Sequence, residues 1–514
     1  MSRNSITDLL FTLRCRGITV WVDHGQLRYH AAKEPITTEE IEALKMKRAD
    51  VLALLQQTLL PSNAAEPELA PRPCADTAPL AFSQEWWWRG LGLDRNPSLR
   101  TVFSAVHLSG TLSSNSLRRS FAELISRHES LRTRIITSDG IPTQHIDEPG
   151  DPPLELLDLS GLPTGAREAK LSLLAEQIVN DPFFASQGPL FSARILKLGH
   201  SEHLLVVALD HMISDGASIG ILWRDLFSLY TQITRGVPCQ LETIPIQFAD
   251  YSLWQHNTYH WWATKHSRYW TQRLSGAEPL QLFRAERVQN PTIDRLAHLP
   301  IQFGEPLSTA LRELSRRLRT TTVMAVLTAY AASLMRLSNR HDLVVPFTTT
   351  GRLHPAVENT IGFFGTPTLL RIELKEQDRF FDFLEHVTQE YTTMYEHQDS
   401  CRMARQLPVP EVMWNPHFNW IPRDFTTAYA RNNHKYGLDG LVSIEPYELE
   451  IDIRDIKWGT DISLIMSDTP RGIQGNLVYR ANTFALNTME RFLRSFFSCA
   501  EALALEPHSR VATA

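Results

Sequence analysis

Apolar residues recur at two spacings along this chain, and the place where one spacing gives way to the other is the most informative. Leu204–Leu209 is a continuous apolar run, short enough for a strand buried on both faces. Just downstream, Ile219, Leu222, Trp223, Leu226 and Leu229 recur three and four residues apart, which predicts a helix. Between them lies Asp210-His211-Met212-Ile213-Ser214-Asp215-Gly216. A strand end feeding a helix start holds a histidine at the rim of a sheet. Asp215 suits a helix N-cap or the partner of a buried cation, and Gly216 lets the chain turn away. A histidine at a strand end is more often structural than reactive, so the pattern by itself locates a candidate and no more.

The N-terminal stretch carries a different set of periods. Ile6, Leu9, Leu10 and Leu13 form a helical stripe that stops at Gly17. Ile18–Val22 then alternates, Asp23-His24-Gly25 turns, and Leu27–His30 returns, which predicts a β-hairpin. Thr37 followed by Glu40 is a capping box opening a second helix with Ile41, Leu44, Leu52 and Leu55. Residues 1–58 therefore form a small module. Residues 59–78, rich in Pro, Ala and Glu, lose all periodicity and suit a semi-extended linker. Farther on, Val323–Leu337 reads as a helix, Leu343–Phe347 as a strand, and Met489 to about Leu505 as a closing amphipathic helix.

Composition narrows the class. A chain of 514 residues has room for roughly two to four domains with large cores. The net charge of −6, from 57 acidic against 51 basic residues, leaves no footprint of a nucleic-acid partner. Five scattered cysteines without a Cys-x-x-Cys or Cys/His spacing support neither a disulfide framework nor a metal site. There is no signal-type apolar segment or membrane-length run, so a cytoplasmic protein without a membrane partner is expected.

Several short motifs then occur in order. They are Ser83-Gln84 with the tryptophans 86–88, Arg127-His128-Glu129-Ser130-Leu131-Arg132-Thr133, Asp210–Gly216, Phe248–Trp254, Gly351-Arg352, Ile361-Gly362-Phe363-Phe364 and His397-Gln398-Asp399. In this company the chain resembles a condensation domain of nonribosomal peptide synthetases, over about residues 79 to 505. The resemblance implies an α/β (α+β) fold of two chloramphenicol-acetyltransferase-like lobes in a V-shaped pseudo-dimer, residues 79–285 and 286–514, with His211 at their junction. It implies no bound cofactor. The acyl chain arrives as a thioester on the 4'-phosphopantetheine of a partner carrier protein. His211 would be the catalytic base, with Asp215 ion-paired to one of Arg127, Arg132 and Arg352, and the Gly216 N–H turned toward the developing oxyanion. Asp210, Ser218 and Gly362 belong to the supporting motifs, Asn419 to the tunnel wall, and Trp254 chiefly to packing. The N-terminal module resembles TubC-type, or β-hairpin, docking domains. Trp21, Arg28 and Lys33 would contact the acidic C-terminal tail of an upstream acyl or peptidyl carrier protein. A monomer is expected.

The departures from the family pattern carry their own expectations. Asp210 stands where the family has its first histidine, and Asp210, Asp215 and Ser218 together fit the D-x-x-x-x-D-x-x-S of heterocyclisation domains. His211 and the Arg127–Thr133 motif follow the condensation form instead. Gly365-Thr366-Pro367 and Ser400-Cys401-Arg402 drift from the family's runs and suggest an unusual donor or acceptor. No adenylation loop or carrier attachment serine follows residue 505. The resemblance therefore extends to stand-alone condensing enzymes, which release a finished chain onto a free small-molecule hydroxyl or amine. The rivals are an excised elongation domain joining two carrier-bound substrates, a heterocyclisation domain, an epimerising relative, and a non-catalytic docking scaffold.

Overall fold

The structure, a computed structural model, describes residues 13, 18–23, 26–31, 36–48, 51, 67–73, 76–91, 101–181, 183–280, 282–283, 296–398, 415–421, 441–447, 460–469 and 471–511. The predicted hairpin forms. Strand β1 (Ile18–Asp23) pairs antiparallel with β2 (Gln26–Ala31), and Trp21 lies opposite Arg28 in the register. Helix α1 (Thr38–Met46) opens on the predicted capping box: Thr37 N donates to Glu40 Oε2 at 2.8 Å, and Glu40 N to Thr37 Oγ1 at 3.2 Å. Lys33 lies outside the described residues, as do Ile6, Leu9 and Leu10 of the first predicted helix.

The first half of the main body runs β3 (Thr77–Pro79), α2 (Phe82–Leu91), β4 (Thr101–Gly110), α3 (Ser114–Arg127), β5 (Thr133–Ser138), β6 (Ile141–Ile146), β7 (Leu154–Asp158), α4 (Thr164–Asn180), β8 (Phe191–Lys197), β9 (Glu202–Asp210), α5 (Gly216–Thr234), α6 (Phe248–Asn257) and α7 (Tyr259–Leu274). The second runs β10 (Leu296–Gln302), α8 (Glu305–Arg317), α9 (Thr322–Ser338), β11 (Asp342–Thr349), β12 (Thr366–Glu373), α10 (Phe380–Glu396), β13 (His417–Trp420), β14 (Val442–Tyr447), β15 (Ile462–Thr469), β16 (Gly472–Arg480) and α11 (Leu486–Leu505).

Among the described residues three sheets organise these elements: β14-β4-β9-β8-β7, β10-β16-β15-β13-β11-β12 and the small β3-β6-β5. Strand β9 is central to the first and is covered on both faces. Leu205, Val207 and Leu209 pack with Phe121 and Leu124 of α3 and Leu222 and Trp223 of α5. Leu204, Val206 and Ala208 pack with Leu174 and Ile178 of α4. This double burial is why the run has no polar alternation. In the second core, Ala325, Leu327 and Tyr330 of α9 lie with Val345 and Phe347 of β11 and Phe492 and Phe496 of α11. The class is mixed α/β, as expected.

The cores do not divide at one point along the chain. Strand β14 crosses back and pairs antiparallel with β4, Val442 opposite Gly110 and Tyr447 opposite Ala105. An edge strand left bare exposes a row of unpaired backbone groups, and β14 covers it. In the other direction, Trp261, Trp262 and Trp270 of α7 belong to the second core. The boundary expected between residues 285 and 286 is thus a point in the sequence but not in the packing.

The linker expected over 59–78 is likewise part of the packed body from residue 67 onward. Leu69 is buried, Trp254 Nε1 donates to Pro67 O at 2.8 Å, and Arg72 pairs with Asp250 at 2.7 Å and Glu129 at 2.8 Å. A guanidinium between two carboxylates and an apolar anchor outweigh the chain's compositional tendency to stay loose. Among the described residues no helix is long and apolar enough to cross a membrane.

Candidate active site

The site is built where β9 ends. Asp210, the last strand residue, is buried and closes the following loop: Met212 N donates to its Oδ1 at 2.8 Å, and Ser214 Oγ to its carbonyl at 3.0 Å. His211 is thereby held on a short, internally bonded turn. Asp215 is the N-cap of α5; its Oδ1 accepts from Ser218 N at 2.9 Å and Ser218 Oγ at 2.7 Å. This satisfies a backbone donor that a helix start leaves unpaired. Gly216 is exposed at the first helical position, where a backbone N–H has no intrahelical partner.

The other half of the body closes onto the same carboxylate. Asp215 Oδ2 accepts from Phe364 N at 3.1 Å and Gly365 N at 3.3 Å, and Oδ1 from Arg352 Nη2 at 3.1 Å. Of the three candidate arginines, Arg352 is the partner. It also donates to the carbonyls of Val357 and Thr360 at 2.8 and 2.7 Å, and stacks on the Phe364 ring at 4.3 Å. Arg127 instead pairs with Asp225 at 2.9 Å, and Arg132 donates to the Asp147 carbonyl and lies 3.9 Å from Glu129. Ser218 Oγ lies 3.1 Å from Gly362 N and 3.0 Å from Gly362 O. Gly362 is required by contact: a Cβ there would meet the Phe248 ring at 2.3 Å.

Helix α2 joins the two sides. Gln84 Nε2 donates to Met212 O at 2.7 Å in the histidine loop, while Ser83 Oγ donates to Phe363 O at 2.6 Å. Trp87, three and four residues on and therefore on the same face, lies against His211 with ring centroids 5.0 Å apart. Phe363 meets the imidazole at 4.5 Å and Trp87 at 5.6 Å, so the three rings form one cluster. The sequence motifs contained these residues, but their roles beside His211 follow from a three-way contact that only the fold brings together. Trp254 stacks on Tyr251 at 5.5 Å and donates its indole N–H to Pro67 O. Asn419 is half-buried on β13, opposite Ile465.

The electrostatics favour a neutral imidazole. Burial pushes the His211 pKa below its ordinary value, against the pull of backbone oxygens of His211 and Ser214 and the charges of Asp215 and Asp210. His211 Nδ1 is buried with no partner at hydrogen-bond geometry, which leaves Nε2 as the nitrogen open to a reacting molecule. A neutral ring with one open nitrogen, in an aromatic cage, can accept a proton at neutral pH. Among the described residues, no cluster of His, Cys, Asp or Glu side chains could hold a metal ion.

The condensation-domain family matches residues 74–514, and the TubC N-terminal docking domain matches residues 6–57. A linear gramicidin synthase of Brevibacillus parabrevis is 31% identical over 470 residues, covering 90% of this chain but 9% of that protein. The phosphinothricin tripeptide synthetase PhsC of Streptomyces viridochromogenes is 32% identical over 451 residues, covering 86% of this chain and 40% of its own length. The chain thus spans less than half the length of either relative. Among solved structures, the X-domain from teicoplanin biosynthesis superposes with a TM-score of 0.71 at 19% identity, covering 87% of this chain and 99% of its own. The SgcC5 protein of Streptomyces globisporus gives 0.70 at 20% identity, covering 84% and 100%. At such identities these two structures establish the likeness of fold.

Proposed function

From a chain that belongs to the condensation-domain family and carries a TubC-type docking domain ahead of it, we propose an acyltransferase that takes an acyl chain from the phosphopantetheine thioester of a partner carrier protein and passes it to a free hydroxyl acceptor, with an amine as the less favoured nucleophile. One observation carries this reading: His211 is held at the mouth of the turn with its pKa lowered and a single nitrogen open. An alcohol needs a base to become nucleophilic, and a neutral imidazole supplies one. An uncharged amine needs it less.

In the proposed reaction the hydroxyl oxygen attacks the thioester carbonyl carbon and its proton passes to His211 Nε2. The C–O bond forms, the C–S bond breaks, and the departing thiolate takes the proton back from the imidazolium. The products are an ester and a free thiol, with no covalent enzyme intermediate, since a thioester is already electrophilic and thiolate leaves readily. The exposed Gly216 N–H at the start of α5 is the donor we assign to the developing oxyanion. SgcC5, similar in fold, has been crystallised with a free 1,2-diol, which fits a soluble hydroxyl acceptor. The hairpin of residues 18–31 would receive the carrier's acidic tail at its edge, with Trp21, Arg28 and Lys33 as the contacts.

The test is to incubate the full chain with an acylated partner carrier and a panel of free alcohols and amines, following the carrier by intact mass. Acyl loss that depends on an alcohol, with an ester product and its disappearance in His211→Ala, is expected. Transfer only to a second loaded carrier would establish an elongation domain instead, and water loss after it a heterocyclisation domain.

A further inference from the structure

We infer that Trp87 selects the acceptor: its indole Nε1–H donates a hydrogen bond to the oxygen of the hydroxyl nucleophile that His211 deprotonates. The inference rests on the reading of the site as an acyl-transfer site and names the atom type it is built to receive. Trp87 is placed by its own helix, because Ser83 and Gln84 on the same face fasten α2 to Phe363 O and Met212 O. Its ring lies 5.0 Å from His211 at 43° and meets Phe363 edge to face at 5.6 Å and 85°.

The indole nitrogen is the anomaly. Trp87 Nε1 is buried and has no hydrogen-bond partner, whereas the indoles of Trp223, Trp254 and Trp270 donate to Ser104 Oγ, Pro67 O and His397 O at 3.0, 2.8 and 2.9 Å. A buried donor without a partner is costly and calls for an explanation, and a neighbouring aromatic face is only a weak acceptor. Its neighbour His211 offers the open acceptor at Nε2. The two rings lie against each other, and we assign the indole N–H and His211 Nε2 to one and the same bound oxygen.

A hydroxyl group fills that pair. It donates its proton to His211 Nε2, accepts from Trp87 Nε1 with one lone pair, and attacks the thioester carbon with the other. An uncharged amine has a single lone pair, which must make the new bond, so the indole donor competes with the reaction. The site therefore favours oxygen over nitrogen by leaving its own donor unpaired when an amine is bound. The Trp87 proton is not transferred in any step.

The experiment compares the full chain with Trp87→Phe, which keeps a ring and removes the N–H. The substrates are a hexanoyl-loaded carrier protein, a panel of free alcohols led by cyclohexylmethanol, and their amine counterparts, compared per uncharged amine. The kcat/KM ratio of ester to amide formation is expected to fall by about tenfold or more in Trp87→Phe. Should that variant fail to fold, benzothienylalanine at position 87 replaces the N–H by sulfur at nearly constant shape. An unchanged ratio with ester formation intact in the parent protein overturns the role of Trp87 and leaves the proposed function standing. A parent protein that makes no ester with any free alcohol overturns both.

Discussion

Helix α5 carries two buried aspartates, and they do different work with the same chemistry. Asp215, at the N-cap, takes donors from both halves of the body: Ser218 from its own helix, and Arg352, Phe364 and Gly365 from the second half. Asp225, mid-helix, takes its donors from the first half alone: Arg127 and His128 at 2.9 Å, and Arg224 at 2.7 Å. Burial by itself would raise the Asp225 pKa, but His128 and Arg224 hold it well below the ordinary carboxylate range. One carboxylate fastens the halves together beside His211; the other fastens α3 to α5 within one half. A buried ion pair is thus no sign of a reaction centre until its partners are known.

Removing each carboxylate separates the two roles. Asp215→Ala leaves the buried Arg352 guanidinium without its carboxylate, and Asp225→Ala leaves the buried His128 and the part-exposed Arg127 without theirs. The first should cost about 3–5 kcal/mol of unfolding free energy and the second somewhat less, read from denaturant midpoints. Their effects on the chemistry should differ. In the folded fraction, Asp215→Ala is expected to lower acyl transfer about 100-fold, because the 361–365 segment and the histidine turn lose their common anchor, while Asp225→Ala stays within about fivefold. Equal losses of transfer in both variants would show that rigidity, not placement, is what His211 needs.

Much of this was legible in the chain itself. The apolar run before Asp210 becomes β9, the helical stripe after it becomes α5, and Asp215 caps that helix. Those features depend on residues a few positions apart. The choice of Arg352 among three arginines was not legible, since it lies far along the chain on a loop whose path is set by the second sheet. Strand β14 was hidden for a similar reason: its burial pattern is that of an ordinary edge strand, and its partner β4 belongs to the other half. The packed strap at residues 67–73 was hidden because its composition is that of a loose linker, and its order comes from Asp250, Glu129 and Trp254.

Acid sharpens the comparison, because the Asp225 hub contains a histidine and the Asp215 hub does not. Burial lowers the His128 pKa, so the folded protein refuses a proton that the unfolded chain binds below about pH 6.5. Stability present above that pH is lost as the pH falls. His417, a buried residue bonded to Thr348 and Ser463 whose pKa burial pushes down to about 4, acts in the same direction. That shift is worth roughly 3 kcal/mol by pH 4. Stability measured at pH 7, 5.5 and 4 should therefore fall monotonically, and His417→Gln should flatten the slope between pH 6 and 4. Hydrogen exchange at pH 5 should loosen the Arg127–Asp225 contact region before the first turn of α5. The reverse order would mean that the Asp215 clamp is the weaker of the two.

A smaller effect probes the clamp from the backbone side. Gly362→Ala drives a methyl into the Phe248 ring, whereas a Cβ at Gly365 meets only Asp215 Cβ at an ordinary 3.8 Å and the edge of the Phe363 ring at 4.0 Å. Gly362→Ala should destabilise by about 1–3 kcal/mol through overpacking. Gly365→Ala should stay within about 0.5 kcal/mol. Thermal unfolding of the pair, with transfer rates on the folded protein, distinguishes a contact requirement from a general intolerance of change in this segment.

The smallest expected effect belongs to Asp210, the most visible departure from the family's motif. Its carboxylate accepts from Met212 N, a bond an asparagine oxygen can also accept, so Asp210→Asn should keep that bond while removing the charge. That charge helps raise the His211 pKa against burial, and its removal should lower the pKa further. A lower pKa leaves more neutral base at acidic pH, so the acid limb of the rate profile should move to lower pH, with the rate at pH 7 within about threefold of the parent. Met212 and Ser214 fold the histidine turn around Asp210, which fits a support for His211 better than a second reacting group. If Asp210→Asn instead abolished transfer at pH 7 in a protein that unfolds at its normal temperature, the aspartate would have to act on substrate. The D-x-x-x-x-D-x-x-S pattern through Ser218 would then describe the chemistry better than the histidine does.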